Sequence, residues 1–134
     1  MAGSSKGGTA AIYYGLQCNA NVVYSGACQY YIGDYLNRPQ FAPIVKGMTG
    51  KEPSDEVISN LNKIMPEHLR KHEGATTIIY LLYSKGEHTY QEHIVDLIND
   101  LKKYSIPYVE IIEEFSDHNQ VGRFFSPFLK QELT

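Results

Sequence analysis

A serine held between glycines at the start of a helix can serve as a nucleophile, and Gly3-Ser4-Ser5-Lys6-Gly7-Gly8 runs directly into Thr9-Ala10-Ala11-Ile12-Tyr13-Tyr14. The spacing is G-x-S-x-G. In a nucleophile elbow the serine occupies a sharp strand-to-helix turn, the flanking glycines remove side chains that would collide there, and the next backbone N–H faces a developing oxyanion. Gly3 and Gly7 flank Ser5, and Lys6 supplies that N–H. Small residues at a helix start also serve capping alone. A phosphate-binding loop beginning at Lys6-Gly7-Gly8 would need a later Gly-Lys-[Ser/Thr], whereas the chain continues Thr9-Ala10-Ala11. Glu87-His88 and Glu92-His93 gather carboxylates and imidazoles, yet neither H-E-x-x-H nor H-x-x-E-H occurs there. Paired charges at a helix start account for them, and neither a metal nor another cofactor is expected.

The elements that would position such a serine alternate between helix and strand. A first helix is expected from about Ser5 to Leu16, with Ala10, Ala11 and Tyr14 at helical spacing and Gly15 near its end. Residues 21–26 read as a buried strand. Residues 27–36, followed by Pro39, Pro43, Gly47 and Gly50, read as a loop with one or two short helical turns, its tyrosines packed half-buried. Pro53-Ser54-Asp55-Glu56 opens a helix with an acidic first turn and an apolar face of Val57, Ile58, Leu61 and Ile64. Pro66 is expected to interrupt it, with a second short helix over Glu67 to His72. The apolar run 76–83 is a strand covered on both faces, Thr89 to Tyr104 a helix, 107–113 a third strand, and Asp117 to Leu133 a final helix. This order predicts one α/β domain over 1–134, a three-layer sandwich with a small, mainly parallel sheet of about three strands.

Composition narrows the partners. With 43% hydrophobic residues in 134, the chain can bury a substantial core. A net charge of −3 leaves no basic footprint for nucleic acid or an anionic membrane. No apolar run approaches the roughly twenty residues of a membrane span, and no signal peptide precedes the turn, so the protein is expected to be cytoplasmic. Cys18 and Cys28, in segments that read as buried or half-buried, form no C-x-x-C and are expected as reduced thiols.

Against this order the chain resembles the C-terminal half of an α/β-hydrolase, from the elbow to the final helix. The stretches from Gly3 to Leu16 and from Ser25 to Leu36 are also similar to a bacterial hydrolase-like branch associated with capsular polysaccharide biosynthesis and accessory secretion. In that superfamily the acid and the histidine follow the serine at the ends of later strands. The resemblance puts Glu87 of Ser84-Lys85-Gly86-Glu87-His88 at the acid position and His118 of Phe115-Ser116-Asp117-His118-Asn119 at the histidine position, with Asp34 and Glu92 as reserve acids. It implies a serine hydrolase or acyltransferase acting on an ester or acylated glycan. Ser5 would attack, His118 would take its proton, Glu87 would hold the imidazole, and the Lys6 N–H would bind the oxyanion. Ser5 and His118 should then lie near each other, with Glu87 on the far side of the ring.

Only Met1 and Ala2 precede the glycine, so the strand feeding the elbow is expected to be missing, along with the loop that gives the second oxyanion donor. The chain therefore reads as a fragment of a larger protein, and the alternative function is a non-catalytic interaction or assembly module. An unpaired edge at Val22 and Val23 would drive self-association into a homo-oligomer, through that edge or the face of the first helix.

Overall fold

Two-residue alternation sets the middle of the molecule. In the computed structural model, which describes residues 1–133, Val23, Ile79, Leu81 and Tyr83 are buried in one apolar cluster. Between them Tyr24 and Leu82 belong to a second cluster, so successive side chains leave opposite faces of one sheet. The sheet has four parallel strands in sequence order, β1 (Ala2–Ser4), β2 (Val22–Gly26), β3 (Ile78–Tyr83) and β4 (Tyr108–Ile112). Val23 stands opposite Ile79, and Leu82 opposite Ile111.

Parallel strands need crossovers, and the helices supply them. α1 (Lys6–Gln17) follows β1, while α2 (Ile32–Leu36), α3 (Ala42–Thr49), α4 (Asp55–Asn62) and α5 (Ile64–Lys71) separate β2 from β3. α6 (Val95–Lys103) leads to β4, and α7 (Val121–Leu133) closes the described chain. Ile12 and Leu16 of α1, Met65 and Leu69 of α5, and Leu97 and Leu101 of α6 cover one face of the sheet. Val121 and Phe125 of α7 pack with Leu82 on the other. Each fully buried large aliphatic contributes about 1.5–3 kcal/mol of transfer free energy. At Gly15 an added Cβ would fall 2.3 Å from Val23 Cγ2, so only glycine lets α1 lie this close to β2.

The α/β class and the small parallel sheet are as expected, but the sheet has four strands rather than three. The strand that feeds the serine turn is present as β1, whose Gly3 and Ser4 pair with Ser25 and Gly26 of β2. The Val22-Val23 edge is accordingly not open: the Tyr24 N–H donates to the Met1 carbonyl (2.8 Å), and the terminal amine reaches Val22 O (3.3 Å). Helices α4 and α5 part at Lys63, not at Pro66, which sits in the first turn of α5 where its missing N–H costs nothing. Cys18, expected buried or half-buried, is exposed at the end of α1, while Cys28 is buried. Among the described residues no helix is long and apolar enough to cross a membrane.

Candidate active site

Ser5 is the residue between β1 and α1, and its backbone is unusual. At φ 53° and ψ −127° it lies in a region that L-residues rarely occupy and that costs on the order of 1–3 kcal/mol. Bonds on both sides hold it there. Its N–H donates to Gly26 O (2.7 Å), and its carbonyl accepts from the N–H groups of Gly8 (2.9 Å) and Thr9 (3.1 Å). Gly3 is obligatory beside it, since a Cβ there would stand 2.2 Å from the Gly7 carbonyl oxygen. Gly7 is not: its Cβ would meet nothing within 4 Å, and Gly8 fills the crowded role instead, 2.6 Å from Ser25 Oγ. The expectation that Gly3 and Gly7 both relieve collisions is corrected to Gly3 and Gly8.

His118 arrives from the opposite edge of the sheet. It opens a 3₁₀ turn, His118–Gln120, after β4, and Asp117 caps that turn by accepting the Asn119 N–H (3.0 Å) while Gln120 Oε1 receives the Asp117 N–H (3.2 Å). Ser84 ties this loop to the one after β3. Its hydroxyl donates to Phe115 O (2.6 Å) and accepts the N–H groups of Phe115 (3.1 Å) and Gly86 (3.2 Å). That bond set holds the segment bearing Glu87 against the segment bearing His118.

The three side chains form one hydrogen-bonded line: Ser5 Oγ to His118 Nε2 is 2.9 Å, and His118 Nδ1 to Glu87 Oε1 is 3.0 Å. With Glu87 ionised, Nδ1 carries the proton, and Nε2 is the acceptor for the serine hydroxyl. Burial pushes the Glu87 carboxyl up, but hydrogen bonds from His118 and from the Thr89 hydroxyl outweigh it and leave it below the ordinary carboxylate range. The reserve acids line the same cavity as Ser5 and His118, but each is engaged with another side chain. Glu92 is exposed and holds His88 Nδ1 (2.9 Å), while Asp34 accepts from Asn62 Nδ2 (2.9 Å). His88 also stands 3.3 Å from Glu87 Oε1. Glu87, His88 and His118 are close enough for their donor atoms to lie within 4.8 Å of one another, yet the His118 nitrogens are those already engaged with Ser5 and Glu87.

Sequence reasoning missed Gln29. Its Nε2 donates to Ser5 Oγ (3.1 Å), and its backbone is clamped to α1 because the Thr9 hydroxyl donates to Gln29 O (2.6 Å) and accepts the Gln29 N–H (3.0 Å). Nothing in the local sequence marks a lone glutamine between Cys28 and Tyr30. The Lys6 and Gly7 N–H groups, first in α1, have no carbonyl one turn earlier within the helix. Ser5, Gln29, His88 and His118 line a cavity of about 490 Å³. Lys6, Thr9 and Gln29 also border a second, apolar one of about 400 Å³ walled by Tyr13, Ile32, Phe41 and Ile44.

No family model and no curated protein matches this sequence. Solved structures do. The capsule O-acetyltransferase of Neisseria meningitidis serogroup A, as a histidine-to-alanine mutant in complex with CoA, superposes with a TM-score of 0.83 at 19% identity, over 99% of this chain and 55% of that one. The same enzyme without that substitution gives 0.82 at 20% identity, over 97% and 54%. The glycosylation-associated Gap123 complex of Streptococcus agalactiae gives 0.75 at 19% identity, over 98% of this chain and 28% of its own. The likeness is one of fold, and the chain spans about half the length of the acetyltransferase.

Proposed function

We propose that the chain carries the chemical site of an α/β-hydrolase-like serine acyltransferase, a piece of a larger protein that moves an acyl group to or from a carbohydrate hydroxyl through Ser5, His118 and Glu87. The observation that carries this is the 2.9 Å and 3.0 Å line of hydrogen bonds ending on a serine at φ 53°. Ser5 Oγ attacks the acyl carbonyl while His118 Nε2 takes its proton, and Glu87 stabilises the imidazolium. The oxyanion faces the Lys6 N–H. When the leaving group departs with the proton from His118, an acyl-Ser5 ester remains. A hydroxyl or water, deprotonated in turn by His118, then releases the acyl group. Support for transfer to a glycan comes from the capsule O-acetyltransferase fold, and that neighbour's complex with CoA supports a thioester as donor. Because the fold is shared while the identity is 19%, donor and acceptor are part of the proposal.

A cytoplasmic setting and self-association as a homo-oligomer belong to the same proposal. The likeness to a component of the Gap123 complex favours one other reading, an assembly module without chemistry. A serine-directed fluorophosphonate separates the two. We expect adduct mass on the peptide containing Ser5 and none in Ser5→Ala. Equal labelling of the wild type and Ser5→Ala, or no labelling of either, would reject the nucleophile and leave the assembly module.

A further inference from the structure

We infer that the Gln29 side-chain amide is a catalytic oxyanion donor, acting with the Lys6 N–H and supplying from within this chain the donor that the hydrolase resemblance expects from an upstream loop. The inference rests on the proposed chemistry at Ser5. Ser5 Oγ has one proton and gives it to His118 Nε2, so the group 3.1 Å away on its other side must be a donor, which orients the Gln29 amide with Nε2 toward Ser5. The opposite atom, Oε1, is buried with no hydrogen-bond partner among the described residues, an arrangement that serves Ser5 and not the glutamine. Gln29 is 4% exposed, its main chain is fixed to Thr9, and the next two residues donate their N–H groups to His93 Nδ1 (3.1 Å each). The donor is therefore held in place before substrate arrives.

The reaction places it where charge develops. As the Oγ–carbon bond forms, the carbonyl electron pair moves to oxygen and the hydroxyl proton passes to His118. Oγ becomes an ether-type oxygen of the tetrahedral intermediate and a poorer acceptor, while the new oxyanion is bonded to the same carbon. An N–H of Gln29 then shifts from Oγ to that oxygen. When the intermediate collapses, the carbon–leaving-group bond breaks, His118 returns the proton to the leaving group, and the amide bonds the carbonyl less strongly. The interaction is thus greatest in the tetrahedral state, as catalysis requires.

The test uses the full chain, p-nitrophenyl acetate and phenylboronic acid, with wild type, Ser5→Ala, Gln29→Ala and Gln29→Glu. Fluorophosphonate titration first gives the fraction of competent sites, so that misfolded protein is not counted. Per competent site, Gln29→Ala should lower kcat by about 10²–10³-fold with KM little changed, the loss typical of one oxyanion donor. The boronate, which forms a tetrahedral adduct with serine, should bind more weakly by a similar factor. Gln29→Glu keeps the size and removes the donor, so it should not recover the rate. A kcat for Gln29→Ala within about threefold of wild type, or a loss in Gln29→Ala that Gln29→Glu restores, overturns the inference. Activity unaffected by Ser5→Ala overturns the nucleophile instead, and this inference with it.

Discussion

Ser5 was legible because its neighbours are constrained as sharply as itself, and a glycine is visible in a sequence. The reason for each glycine was not. Gly3 faces a backbone carbonyl on the next turn, and Gly8 faces Ser25, contacts that exist only once β1, α1 and β2 pack together. This separates Gly7 from Gly3 by experiment. Gly7→Ala fills open space in a helix and should raise stability by about 0.5–1 kcal/mol in urea denaturation. Gly3→Ala must move backbone and should lower stability by more than that gain. Glu87 and His118 follow from their order at two strand ends, but Thr89, Ser84 and Gln29 carry no motif: Ser84 and Gln29 act on Phe115 and Ser5, far away in sequence, and Thr89 is a lone hydroxyl two residues from Glu87. Glu87→Gln keeps the shape and removes the charge that, in the proposed mechanism, stabilises an imidazolium. We expect kcat for p-nitrophenyl acetate to fall by about 10³–10⁴-fold with the fold retained.

At the scale of elements, the run from Thr89 to Tyr104 is helical as its apolar spacing predicts, but not uniformly. Tyr90–Ile94 is a π-helical turn that leads into α6. The π turn lies ahead of Leu97, Ile98 and Leu101, which carry the regular period, and this hides it in the sequence; such bulges recur at functional sites. Here it turns His93 inward, where its Nδ1 receives the N–H groups of Tyr30 and Tyr31 and so anchors the loop bearing Gln29. That bond requires an unprotonated Nδ1. Burial lowers the His93 pKa from 6.5, and the charge of His88 adds to this, against the opposing pull of Glu92, Asp34 and Glu87. A histidine whose folded pKa is depressed contributes stability that is complete above its unfolded value and is lost as pH falls through the folded one. His68, buried with its Nε2 on Tyr13 O (2.8 Å), acts with the same sign. Unfolding free energy should therefore decline as pH falls from about 6.5. His93→Asn, which presents an acceptor but does not titrate, should flatten part of that decline in denaturant titrations at stepped pH.

For the whole molecule, the layered α/β order was readable because β3 is a continuous apolar run and the helices between strands keep their period. β1 was not readable: three residues carry no alternation, and only pairing with β2 makes Ala2–Ser4 a strand. That pairing removes the argument for self-association through the Val22-Val23 edge and leaves the helical face. Tyr14 of α1 and Ile44 and Met48 of α3 are 56%, 48% and 53% exposed, and all three border the apolar cavity beside Ser5. Single exposed apolar side chains are ordinary. Three large ones around one apolar depression form a patch of the kind that associates, most simply about a two-fold axis. Light scattering over a concentration series should then show the mass rising toward that of a dimer. Ile44→Asp combined with Met48→Lys should hold it at the monomer, and because both positions are exposed each change should cost no more than about 0.5 kcal/mol of stability. A wild-type mass that stays monomeric at the highest concentration would assign the patch to the borders of the cavity alone. A mass that rises equally in the double variant would move the contact to β1, an outer strand of the sheet among the described residues.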